Sequence, residues 1–215
     1  TYTIYVKDGD GCERTYSITI TEPAEVTFTE THVDPTCWDG NDGSITVSAS
    51  GGNGSYEYLI DGSWYSSNIK TGLSTGSYTV RVRDGNGCTS SIGSVSLFTT
   101  KPFATITSTN VVCNGDDDGT ISVSNPTGGS GATYQVKLNS NGTYVNLTGT
   151  QLYEDLSPDT YSIYIKDSDG CEGIYTKTIT ENNTVTASTA SMNPTCFGDT
   201  DGSITVTGSG GTGSY

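Results

Sequence analysis

The spacing of six cysteines restricts this chain more than any other feature. Three of them close a short acidic turn: Lys7-Asp8-Gly9-Asp10-Gly11-Cys12, Arg83-Asp84-Gly85-Asn86-Gly87-Cys88 and Lys166-Asp167-Ser168-Asp169-Gly170-Cys171. The other three, Cys37, Cys113 and Cys196, open a second acidic glycine turn that leads into Ser44-Ile45-Thr46-Val47, Thr120-Ile121-Ser122-Val123 and Ser203-Ile204-Thr205-Val206. Both series step by 76 residues and then by 83. From each closing cysteine to the next opening one the gap is always 25, whereas the reverse gap is 51 in one copy and 58 in the other. Length change is therefore accepted inside a module and not across the joint between modules. A period of this kind decides the architecture before any local reading does.

The period divides the chain into the C-terminal part of a repeat (1–22), two complete repeats (23–99 and 100–181) and the N-terminal part of another (182–215). Tyr215 falls where Tyr56 falls, which reads as a window in a longer array. Modules of this size suit small sandwich domains. Thr, Ser, Val, Ile and Tyr dominate, which favours strands, and 28 glycines supply turns. A net charge of −15 argues against nucleic acid and against an anionic membrane surface. No apolar run approaches the length of a transmembrane helix, so no membrane insertion is expected in this segment. Recurring cysteines read as disulfides and an oxidising compartment. Zinc is the rival, but there is no Cys-x-x-Cys, and the single His32 is matched by Ser108 and Ser191.

Alternating apolar residues predict the strands. In the first complete module the inward set is Ile45, Val47, Tyr56, Tyr58, Ile60, Leu73, Tyr78, Val80 and Val82. In the second it is Ile121, Val123, Tyr134, Val136, Leu138, Leu156, Tyr161, Ile163 and Ile165. Leu73-Ser74-Thr75-Gly76-Ser77-Tyr78 and Leu156-Ser157-Pro158-Asp159-Thr160-Tyr161 have the pattern of a tyrosine corner. The predicted fold is all-β: tandem immunoglobulin-like (fibronectin-III/PKD-like) sandwiches in a linear array. Most of the seven residues by which the second complete module is longer fall near 139–151, at a hairpin tip.

The pattern Cys-x-Gly-x-x-Asp-Gly-Ser-Ile-Thr-Val, then Gly-Gly-x-Gly-x-Tyr, then Gly-x-Tyr-x-Val-x-Val-x-Asp-x-Asn-Gly-Cys resembles the SprB-type repeats of very large cell-surface proteins in gliding Bacteroidota. Cys196–Gly202 and Gly211–Tyr215 follow it closely. Cys37-Trp38-Asp39 and Asp159 depart from it where glycine is usual. The resemblance implies an extracellular filament moved by the gliding machinery and exported by the type IX secretion system. Those machines and neighbouring repeats are the implied partners.

No catalytic residue is expected. His32 does not recur, and paired aspartates on turns lack the cleft a glycosidase needs. The turn acids Asp39, Asn41, Asp42, Asp116, Asp117, Asp118, Asp199 and Asp201 leave two readings open. They are hard oxygen donors of the kind calcium takes, and they are also what tight turns ordinarily use. No other cofactor is expected. Tyr5 and Tyr164 read as contacts to a sugar or as cross-strand pairs. Sequons stand at Asn53, Asn141, Asn146 and Asn182.

Two functions compete: a structural stalk, and a module whose repeats bind carbohydrate or another external surface. The recurring positions are core, turn and cysteine, which favours the stalk, and short joints such as Glu22-Pro23-Ala24 predict a stiff rod. Pairing of Cys37 with Cys88 and of Cys113 with Cys171 needs both cysteines at one end of a sandwich. Five strands between them, an odd number, put them at opposite ends. Cys37–Cys171 is then expected, with Cys12, Cys88, Cys113 and Cys196 bonded outside the window. If the two short strands at 63–71 are one, the intramodule pairing applies instead.

Overall fold

A computed structural model describes all residues 1–215. It contains eighteen strands and no helix, so none of its elements is a helix able to cross a membrane. In order the strands are β1 (Tyr2–Lys7), β2 (Glu13–Ile18), β3 (Thr27–Val33), β4 (Gly43–Ser50), β5 (Tyr56–Ile60) and β6 (Ser63–Tyr65). Then come β7 (Ile69–Leu73), β8 (Gly76–Asp84), β9 (Gly93–Leu97), β10 (Phe103–Thr109), β11 (Gly119–Thr127) and β12 (Tyr134–Leu138). The last six are β13 (Val145–Asn146), β14 (Gln151–Leu156), β15 (Asp159–Asp167), β16 (Glu172–Ile179), β17 (Thr186–Met192) and β18 (Ser203–Ser209).

Seven strands make each complete module. In the first, β3-β4-β7 form one antiparallel sheet and β6-β5-β8-β9 the other. In the second, β10-β11-β14 and β13-β12-β15-β16 repeat this order. Three strands facing four, with the chain changing sheets between β4 and β5, between β6 and β7 and between β7 and β8, is the seven-stranded immunoglobulin-like sandwich of the fibronectin-III kind. The two short strands at issue in the strand count are separate: β6 and β7 lie in different sheets. Five strands therefore stand between Cys37 and Cys88.

The alternation of apolar residues is realised as the two cores. Ile45, Val47, Ile60, Leu73, Val80 and Val82 are buried in one, with Tyr56, Tyr58 and Tyr78 packed against them. Ile121, Val123, Val136, Ile163 and Ile165 are buried in the other, bordered by Tyr134, Leu138, Leu156 and Tyr161. Each buried aliphatic side chain contributes roughly 1.5–3 kcal/mol. Val26, Val95 and Leu97, and Val111, Leu147 and Ile179, complete the cores from outside the strands with the clearest alternation. The added length of the second module lies where expected, mostly in the β12–β13 turn and before β14. One further residue sits in a bulge of β11, where Asn125 adopts a φ of 50°.

Both tyrosine corners close. The Tyr78 hydroxyl donates to the Ser74 carbonyl at 2.8 Å and Tyr161 to that of Ser157 at 3.0 Å. The Tyr153 hydroxyl, by contrast, is buried with no partner. Tyr161→Phe is expected to cost about 1 kcal/mol in chemical denaturation, whereas Tyr153→Phe, which removes an unpaired polar atom, is expected to cost nothing. The reverse ranking would refute the corner's role.

Two compact units divide the chain: Thr1–Pro35 with Asp39–Phe98, and Thr36–Trp38 with Thr99–Tyr215. The hairpins β1–β2 and β17–β18 pair antiparallel with their apolar residues, such as Ile4, Val6, Ile204 and Val206, exposed.

Candidate functional site

The cysteines identify the site with the most local chemistry. Cys37 is bonded to Cys171, with their Cα atoms 5.3 Å apart and 134 residues between them in sequence. The tripeptide Thr36–Trp38, which follows β3 in the chain, belongs to the second unit. The bond thus fastens the β3–β4 connection to the β15–β16 hairpin of the following module. Cys171 is buried. Around it, Ser130 Oγ donates to the Thr36 carbonyl at 2.7 Å, and the Trp38 indole donates to the Glu172 carbonyl at 3.3 Å. The Lys101 ammonium lies 5.3 Å from the Trp38 ring and 5.0 Å from the Tyr175 ring, within cation–π range. Cys12, Cys88, Cys113 and Cys196 are free and exposed in this chain.

One carboxylate shapes the hairpin that presents each closing cysteine. Oδ1 of Asp8, Asp84 and Asp167 accepts from the amide two residues on and from that of the cysteine four residues on. In the complete modules the other oxygen holds the loop that joins the two sheets. Asp84 Oδ2 accepts from the Asn53 amide at 3.1 Å, and Asp167 Oδ2 from those of Ser130 and Gly131 at 3.1 and 3.3 Å. Glycine is required beside these oxygens. A Cβ on Gly52 would lie 2.5 Å from Asp84 Oδ2 and one on Gly129 2.2 Å from Asp167 Oδ2, and both residues have positive φ. Burial alone raises the Asp84 carboxyl, but hydrogen bonds from the Cys88, Asn53 and Asn86 amides outweigh it and hold the group below the ordinary value of 3.8. A depressed carboxylate contributes stability above its unfolded value and loses it as pH falls through the folded one. Asp84→Asn should therefore show a deficit at neutral pH that narrows below pH 3.8. An equal deficit at both ends of an acid titration would contradict this.

The opening turns use their acids locally. Asp118 Oδ1 accepts from the Val112 amide at 2.9 Å and the equivalent Asp201 from the Thr195 amide at 3.0 Å. These bonds hold the Asp201 carboxyl low, with the Thr195 hydroxyl as the largest contributor. Asp199 accepts from the Cys196 amide at 3.0 Å. Asp42, the third equivalent, is likewise engaged. Asp39, Asn41, Asp116 and Asp117 stand on the same turns. No three His, Cys, Asp or Glu side chains converge in an arrangement able to hold a metal ion.

A second recurrence escaped the sequence. Trp38, Asn114 and Phe197 differ in type, yet the residue after the opening cysteine meets the start of the next module in both complete copies. Trp38 stacks with Lys101, while Asn114 Oδ1 accepts from Thr184 Oγ1 at 2.7 Å, and Lys101 and Thr184 are equivalent positions. The two members change together, so neither recurs when read alone.

Fold and site together define a class: tandem immunoglobulin-like modules with a disulfide running from one module's opening turn to the next module's closing hairpin. The family that matches is the SprB repeat, at residues 29–63, 105–143 and 188–215. Each of the three matched regions covers one opening-turn segment, and the matching family points to multi-repeat cell-surface proteins. No curated protein matches the chain. Among solved structures, the fibronectin(III)-like modules of Clostridium thermocellum CbhA match at 15% identity, over 71% of this chain and 95% of that one, with a TM-score of 0.29.

Proposed function

We propose that this chain is a non-catalytic structural segment of a long extracellular cell-surface filament or adhesin that serves gliding motility or surface attachment and is exported by type IX secretion. Its units of repetition are 23–99 and 100–181, flanked by parts of repeats at 1–22 and 182–215. The observation that carries the reading is the Cys37–Cys171 bond. A filament pulled along a surface carries load through every joint, and a covalent bond that spans a joint bears that load when the sandwiches yield. The gliding machinery at one end and an external surface at the other are the partners such a filament needs. The acidic turns serve here as turn caps, so melting curves with calcium and with chelator should superimpose. A calcium-dependent rise would assign them to a cation instead.

Single-molecule pulling from residue 1 to residue 215 tests the mechanical reading. With the bond intact, the residues between Cys37 and Cys171 cannot extend. Reductant should release roughly 470 Å of additional contour length, at about 3.5 Å per residue. Equal contour lengths with and without reductant would overturn it.

A further inference from the structure

The outer face of the four-stranded sheet carries the same pair of groups in both complete modules, and the sequence hides it. Leu59 faces Trp64 on β6 and Arg81 on β8. Val136 faces Val145, which sets Tyr144 beside Lys137 as Trp64 is beside Leu59. Trp64 and Tyr144 therefore occupy one structural position, although the longer β12–β13 turn shifts them out of the sequence period. A cation covers each ring. The Arg83 guanidinium lies 4.3 Å from the Trp64 ring, and the equivalent Lys166 ammonium 5.5 Å from that of Tyr144. In the second module Lys137 adds a further cation, 4.7 Å from Tyr144 and 4.6 Å from Tyr164. Lys7 holds the position of Arg83 and Lys166 in the first hairpin.

From this recurrence we infer that the face is a binding surface for an acidic polysaccharide, with uronate rings on Trp64 or Tyr144 and their carboxylates on the flanking cations. This goes beyond the load-bearing reading and stands or falls separately from it. Charge selects the ligand. The chain has a net charge of −15 with only nine Lys and Arg, yet cations recur on this face beside half-buried aromatic rings. Aromatic rings present an apolar plane to the C–H face of a sugar, and a cation held against the ring is already positioned for an anion. The carboxylates of Glu57 and Glu172 moderate the site: Glu57 pairs with Arg83 at 2.6 Å, and Glu172 accepts from the Tyr144 hydroxyl. An incoming uronate takes the place of Glu57 on Arg83, whereas Lys137 carries no carboxylate partner and donates only to the Ser140 carbonyl.

Affinity electrophoresis of the whole chain in gels containing alginate, a uronate polymer, or neutral dextran tests the proposal. A net-negative protein is repelled by alginate unless a local site holds it, so retention is informative. Retention by alginate and not by dextran is expected, decreasing with salt. It should weaken about tenfold in Trp64→Ala with Tyr144→Ala and in Lys137→Gln with Lys166→Gln. The native chain offers a check that needs no variant: alginate should protect Lys137 and Lys166 from acetylation and leave Lys177, which lies off this face, unprotected. Absence of retention at low salt, equal retention by dextran, or equal acetylation of all three lysines would each overturn the assignment.

Discussion

A Cys37→Ser, Cys171→Ser double variant is expected to lose about 5 kcal/mol of stability relative to the oxidised chain. The magnitude follows from the loop that the bond closes. With 134 residues between its ends, the cross-link removes more entropy from the unfolded chain than a bond inside one module would. The folded side adds to this, because Cys171 is buried beside Ser130 and its sulfur lies 3.2 Å from the Thr36 carbonyl. Denaturant unfolding measures the loss, and reductant added to the wild type should reproduce it. Cys88→Ser and Cys113→Ser, which alter free and exposed thiols, should leave the midpoint unmoved. If all three variants unfold alike, the bond does not hold the modules.

Asp167→Ala is expected to cost about 4 kcal/mol, because one buried and three part-buried amides are left without their acceptor, at about 1 kcal/mol each. Four amides lose their acceptor at once: those of Asp169 and Cys171 at 3.1 and 2.9 Å, and those of Ser130 and Gly131 at 3.1 and 3.3 Å. The first pair shapes the hairpin that presents Cys171. The second holds the loop whose Ser130 hydroxyl reaches Thr36. The variant should therefore also form the Cys37–Cys171 bond more slowly on reoxidation. Asp167→Asn, which keeps one carbonyl acceptor, should fall between it and the wild type. A loss below about 1 kcal/mol for the alanine variant would show that water replaces the carboxylate.

Much of this architecture is legible in the repeats alone. The alternation of Ile45 with Val47 and of Val80 with Val82 specifies inward faces because a one-residue slip would expose whole strands. The Leu-turn-Tyr pattern specifies the corner. The separate strands β6 and β7 give the odd count from which the Cys37–Cys171 pairing follows. What the repeats obscure has physical causes. Trp64 and Tyr144 share a place in space but not a place in the period, because added residues in a hairpin tip move the sequence without moving the register. Trp38 and Asn114 look unrelated until their partners Lys101 and Thr184 are seen to change with them. The double duty of Asp84 and Asp167 is hidden because a turn aspartate is common. The signal was present nonetheless: Asp8, Asp84 and Asp167 never change, while the next two positions vary among Gly, Ser, Asp and Asn.

Every module of the array should be covalently fastened to the next by the same bond. Non-reducing peptide mapping of a longer array, with at least one complete repeat added on each side, tests it most directly. Each opening cysteine is expected to be linked to the closing cysteine of the following module: Cys37 to Cys171, as here, Cys113 to its counterpart downstream, and Cys88 to its counterpart upstream. Linked peptides containing Cys37 with Cys88, or Cys113 with Cys171, would contradict it.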